Sequence, residues 1–113
     1  SNMKDLPDQA LEAISSYFQV LAEPNRLRLL NLLRGGERNV TELAEQSGSS
    51  AANVSRHLTQ LAQQGMVMRQ TRGQNVYYSV ADASIYDLCD LVCGHIARRI
   101  EKTARETRLF PGA

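Results

Sequence analysis

Apolar residues recur along this chain at two spacings. From Asp8 to Leu21 they fall at Leu11, Ile14, Phe18 and Leu21, with Tyr17 and Val20 beside them. That three-and-four step marks one face of a helix. Pro24 interrupts it, and residues 25–34 carry a second stripe at Leu27, Leu30 and Leu33, closed by Gly35-Gly36. Thr41 is the expected N-cap of a short third helix in which Leu43 and Ala44 face inward. Ala44 stands three residues on, so this cap predicts no capping box, and Glu42 in the first turn suits the helix dipole. Gly48 ends that helix. Ser50 caps the next, residues 51–64, which buries Val54, Leu58 and Leu61 and stops at Gly65.

The period then shortens. Residues 67–69 and 76–80 read as two short strands, and the turn between them, residues 71–75, contains Gly73, which supplies positive φ if the turn needs it. A long helix follows over residues 84–107, with Ile85, Leu88, Val92, Ile96 and Ile100 on one face. The tail, residues 110–113, is expected to be loose. The predicted fold is mostly α with a small β-hairpin: two helices, a helix-turn-helix, a hairpin wing and a last helix.

Length bounds this to one domain, residues 4–108, large enough for a real core. Ser1-Asn2 ahead of Met3 reads as an expression remnant. No apolar run approaches the roughly 18 residues that a membrane helix needs, and no signal peptide is visible. Two cysteines four residues apart are no secreted disulfide framework, so the expected setting is a reducing cytoplasm.

Charge changes the picture through its distribution. The net charge is only +1, yet residues 46–81 hold none of the chain's 12 acidic side chains. That stretch holds Arg56, His57, Arg69 and Arg72 instead, which describes a surface for a polyanion. In a helix-turn-helix the second helix enters the major groove and its first turns meet the base edges. The positions there are Ala51, Ala52, Asn53, Ser55, Arg56 and Thr59, alternating with the buried ones. Asn53 suits adenine, and Arg56 suits guanine or phosphate. Ser50, Ser55 and Thr59 are hydroxyl donors for phosphate, and the two alanines allow close approach. His57, at the edge of the buried face, either packs or contacts phosphate. Arg69, Arg72 and Gln74 place a wing along the backbone or in the minor groove.

The phrases LAEPNRLRLLNLL (from Leu21), NVTELAEQSGSSAANVSRHLTQLAQQGMV (from Asn39) and RQTRGQNVYYSV (from Arg69), in this order, resemble the ArsR/SmtB family of winged helix-turn-helix transcriptional repressors. The resemblance covers most of the chain. It implies a homodimer on an imperfect inverted repeat in duplex DNA, released by an inducer. The apolar stripes of the first and last helices are longer than a domain this small needs, which agrees with pairing about a two-fold axis.

Family members often sense metals, but this chain departs from their patterns. The first helix of the helix-turn-helix has no Cys-x-Cys pair. Asp82 and His95 fall where two zinc ligands of the last helix would be, but Ser84 and Arg98 occupy the other two places, which makes a poor zinc site. Cys89 and Cys93 remain as candidates for an inducer or redox site. An i, i+4 pair has Cβ atoms about 5–6 Å apart, too far for an unstrained disulfide but bridgeable by a soft metal or metalloid with a third ligand. A disulfide between subunits, or a persulfide or polysulfide bridge, is a further option. Simple packing is the plain alternative, since free cysteine is among the most buried residue types. Another function class, a winged helix that binds protein and no DNA, has little reason to clear one face of carboxylates. No nucleophile–base–orienter set, glycine-rich phosphate loop or complete metal site suggests an enzyme.

Overall fold

The computed structural model describes residues 3–109, so the supposed remnant Ser1-Asn2 and the tail 110–113 lie outside the described residues. Two compact units divide after Asp82. The first contains α1 (Asp8–Leu21), α2 (Pro24–Leu33), β1 (Arg38–Asn39), α3 (Val40–Ser47), α4 (Ala51–Gln63), β2 (Val67–Arg72) and β3 (Asn75–Val80). The second contains α5 (Ser84–Leu109).

The core of the first unit sits where α2, α3 and α4 meet each other and the sheet. Leu29, Leu30 and Leu33 of α2, Leu43 of α3 and Val54, Leu58 and Leu61 of α4 are buried there, with Met66, Val67 and Tyr78 from the wing side. The stripe of α2 is rotated from the expected one. Leu27 is exposed and Leu29 is buried, which puts Arg26, Leu29, Leu30 and Leu33 on the inner face. Arg26 is thus a buried cation.

Several boundaries differ from expectation, and the sheet gains a strand. The third helix starts two residues earlier, and its cap is Asn39. Asn39 Oδ1 accepts from the Glu42 N–H at 2.8 Å and Glu42 Oε1 accepts from the Asn39 N–H at 3.1 Å, a full capping box. The hairpin strands are six residues each, and a two-residue loop, Gly73-Gln74, joins the Arg72↔Asn75 pair. Positive φ falls on Gly73 (62°) and not on Gln74, the signature of a type II′ turn, whose twist matches the strands. The sheet also has a third strand. Arg38 and Asn39 pair antiparallel with Tyr78 and Tyr77, so the order is β1-β3-β2.

Between α3 and α4 the chain turns at Gly48, whose φ of 72° is left-handed. Ser50 then caps α4 by accepting the Asn53 N–H on its Oγ at 3.1 Å. In the second unit α5 runs as one unbroken helix, with Ile85 buried and Leu91, Val92, Ile96 and Ile100 exposed.

Candidate nucleic-acid interface

The helix-turn-helix is α3–turn–α4. Burial of Val54, Leu58 and Leu61 turns the opposite side of α4 outward, and Ala51, Ala52, Asn53, Ser55, Arg56 and Thr59 are all exposed on it. Arg56 donates from Nη2 to Asn53 Oδ1 at 3.4 Å, so the two candidate base readers are neighbours one turn apart. Ser50 uses an Oγ lone pair for its cap and keeps its hydrogen to donate. Thr59 differs. Its Oγ1 donates back to the Ser55 carbonyl at 2.9 Å, so in this rotamer it has no hydrogen for a phosphate.

His57 does not belong to this outward set. It is 4% exposed, which favours the packing alternative over a phosphate contact. Arg26 Nη1 lies 3.3 Å from His57 Nδ1. A guanidinium has only donors, so Nδ1 must carry the lone pair and the hydrogen sits on Nε2. Arg26 also donates from Nε to the Val20 carbonyl at 2.5 Å and from Nη2 to the Gln19 carbonyl at 3.5 Å, at the C-terminus of α1. Glu23 caps α2 by accepting the Arg26 N–H at 3.1 Å, and its Oε2 lies 3.8 Å from His57 Nδ1.

Burial holds the His57 imidazole below its ordinary value of 6.5. Glu23 pulls it back up, and the charges of Arg56 and Arg26 push it further down. For the Glu23 carboxyl, desolvation acts upward. It is outweighed by hydrogen bonds from the Arg26 and Asn25 N–H groups and by the charges of His57 and Arg26, so it stays below 4.5. Arg26 was not among the residues expected to act at this site. The signal was present: position 26 is in step with Leu29, Leu30 and Leu33, which assigns it to the inner face of α2.

On the wing, the pleat puts Arg69 on the face of Tyr78 and Arg72 on the face of Tyr77. The two arginines therefore lie on opposite faces. Arg69 and Gln74 are exposed. Arg72 pairs with Glu37 and stacks over the Tyr77 ring, 4.1 Å from its centre. The stretch that lacks acids in sequence thus receives a carboxylate in space. Cys93 is exposed and Cys89 half-buried on α5, and neither is in a disulfide. Among the described residues no three His, Cys, Asp or Glu side chains are grouped to hold a metal.

A family model for bacterial regulatory proteins of the arsR family matches residues 23–69, from the cap of α2 into β2. The transcriptional regulator NmtR of Mycobacterium tuberculosis is 37% identical over 90 residues, which cover 80% of this chain and 75% of that protein. The chain belongs to the arsR family.

A probable mercury resistance operon repressor of Streptomyces lividans is 36% identical over 84 residues, 74% of this chain and 67% of that one. Among solved structures, the homodimeric winged helix-turn-helix domain Mb0332 of Mycobacterium bovis superposes with a TM-score of 0.74 at 28% identity, over 86% of this chain and 90% of that one. As an arsR-family member this chain is a DNA-binding transcriptional repressor and not an enzyme, and the protein-interaction reading of the winged helix is set aside. Among the described residues no helix is long and apolar enough to cross a membrane.

Proposed function

We propose that residues 4–108 work as one domain in a homodimer, which holds an inverted-repeat operator with two copies of α4 and two wings. The observation that carries this is the exposure of apolar side chains on both terminal helices: Leu11 and Phe18 of α1, and Leu91, Val92, Ile96 and Ile100 of α5. Val92, Ile96 and Ile100 lie in step on one face of α5 and are 48%, 40% and 61% exposed, a contiguous apolar face of the kind that marks an interface. Two-fold pairing would cover them and set the recognition helices about 34–36 Å apart, one helical turn of DNA. The dimeric state of the Mycobacterium bovis domain supports the same arrangement.

Sedimentation of the wild type and of Val92→Glu/Ile96→Glu tests this, together with footprinting on a duplex selected from a random pool. A dimer that protects two half-sites one turn apart is expected. A monomeric wild type, or a single protected site, refutes the reading. A DNA target and a need for reduced thiols both suit a cytoplasmic protein.

A second reading concerns the inducer, and the exposed Cys93 with Cys89 one turn before it favours it. Two thiolates can hold a soft metal or metalloid at about 2.3 Å per sulfur, with a third ligand from solvent or from the partner subunit. The regulator's relatives include a probable mercury resistance repressor, which supports a thiol-seeking signal. Anisotropy with arsenite, cadmium, polysulfide or diamide should show loss of DNA binding with one of them, abolished in Cys89→Ser/Cys93→Ser. A double variant that still responds returns both cysteines to packing.

A further inference from the structure

We infer that Arg26 is the positioning residue of the recognition helix, strapping α4 through His57 to the C-terminus of α1. This rests on the reading of α4 as the DNA-contacting helix. The geometry has three parts. Arg26 is only 9% exposed, and its Nη1 contact with His57 is buried. Its compensation comes mainly from the Val20 carbonyl at the end of α1, and at longer range from the Gln19 carbonyl, which also accepts the Ala22 N–H at 3.2 Å. Its remaining arm ends on His57 Nδ1, in the middle of α4, between the exposed readers Asn53, Arg56 and Thr59. One planar fork therefore joins the end of one helix to the ring that seats another. Among the described residues no buried side-chain polar atom lacks a partner, and the contact of Arg26 Nη1 with His57 Nδ1 is a buried one, so breaking it costs the desolvation of both groups.

The strap needs an unprotonated Nδ1. A proton there turns an acceptor into a donor facing a donor, and brings like charge beside Arg26. The groups around the ring offer little relief. Glu23, at the start of α2, is the one acid acting on it and is committed to the α2 cap. Arg56 on α4 repels the imidazolium. The charges of α3 (Glu42, Glu45) and of β2 (Arg69, Arg72) are not among those that act on it. Asn25, Ser47 and Ser49 line the recess beside the ring, about 10 Å³ in volume, and are uncharged. Proton uptake by His57 should therefore release α4 from α1 and lower DNA affinity. Loss of either strap residue should do the same at neutral pH, unless the replacement keeps an acceptor at Nδ1.

The test pairs two readouts on the full chain. Anisotropy on a duplex selected from a random pool follows affinity from about pH 7.5 to about pH 5.5, and NMR follows the His57 ring and the backbone amides of α1 and α4 over the same range. Variants are Arg26→Met and His57→Asn, the latter placing an amide oxygen near the Nδ1 position with no proton to gain. Wild-type affinity should fall about tenfold or more on acidification, with the amides near Val20 and those of α4 shifting at the His57 midpoint. His57→Asn should bind within about threefold of wild type at neutral pH and lose that dependence. Arg26→Met, if folded, should bind weakly at every pH. The proposal is overturned if His57→Asn keeps the wild-type pH profile, or if the amides of α1 and α4 do not move with His57. A wild type that binds no selected duplex at neutral pH sinks the DNA-reading assignment instead, and the NMR arm then decides the strap alone.

Discussion

At the scale of single residues, the interface depends on which polar atoms are already spent. Arg56 donates to Asn53 across an exposed face, so both can turn to a base or phosphate with little cost. Arg56→Ala should weaken specific binding by about 1–3 kcal/mol if it reads a base, and anisotropy against the selected and a scrambled duplex checks it. A uniform loss on both would make it a phosphate contact. The buried pair below has a signature in stability. The folded value of His57 lies below 6.5, so its contribution is complete above that pH and is lost as pH falls through the folded value. That of Glu23 lies below 4.5 and is lost further down. Urea midpoints should fall in two steps on acidification, and His57→Asn should remove the upper step only. The outward placement of Asn53, Arg56 and the small alanines was legible because the apolar Val54, Leu58 and Leu61 fix the opposite face of α4. Arg26 was not, because a charge is read as surface until its phase on the helix is weighed against its polarity.

At the scale of elements, α1, α4 and α5 were legible because their apolar spacing extends over several turns. The short elements were not. β1 is two residues and has no period to read, and its presence follows from β3 having an unpaired edge beside α3. Because β1 runs into Asn39, the cap of α3 moved to that residue and away from Thr41, and the capping box came with it. The turn at Gly48 is the joint that sets α4 against α3. A Cβ there would meet nothing within 4 Å, so the cost of Gly48→Ala is backbone strain alone. It should lose about 1–2 kcal/mol, read as a fall in melting temperature of several degrees. Leu58 is fully buried behind the readers, and Leu58→Ala should lose about 2–5 kcal/mol. If Gly48→Ala were as stable as wild type, the left-handed turn would not be a fixed joint.

At the scale of the molecule, the proposed dimer can be measured by how many phosphates it neutralises. Arg56, Arg69 and Arg72 on each protomer would give about six contacts and a log–log salt slope near −5.4 at about 0.9 per contact. The pairing of Arg72 with Glu37 makes a different count available. If Glu37 keeps Arg72 when DNA arrives, about four contacts remain and the slope is near −3.6. The phosphate must outbid an exposed carboxylate, and exposed ion pairs hold by only about 0.2–1 kcal/mol. The Tyr77 ring beneath the guanidinium adds about 0.5–1 kcal/mol of its own but leaves the edge of the fork open. Those magnitudes favour DNA: Arg72 should stay on Tyr77 and exchange Glu37 for phosphate. Wild type and Glu37→Gln should then share a slope near −5.4, with Glu37→Gln binding several-fold tighter at every salt concentration because no pair has to break. A wild-type slope near −3.6 that steepens in Glu37→Gln would instead show Glu37 holding the wing arginine back from the duplex.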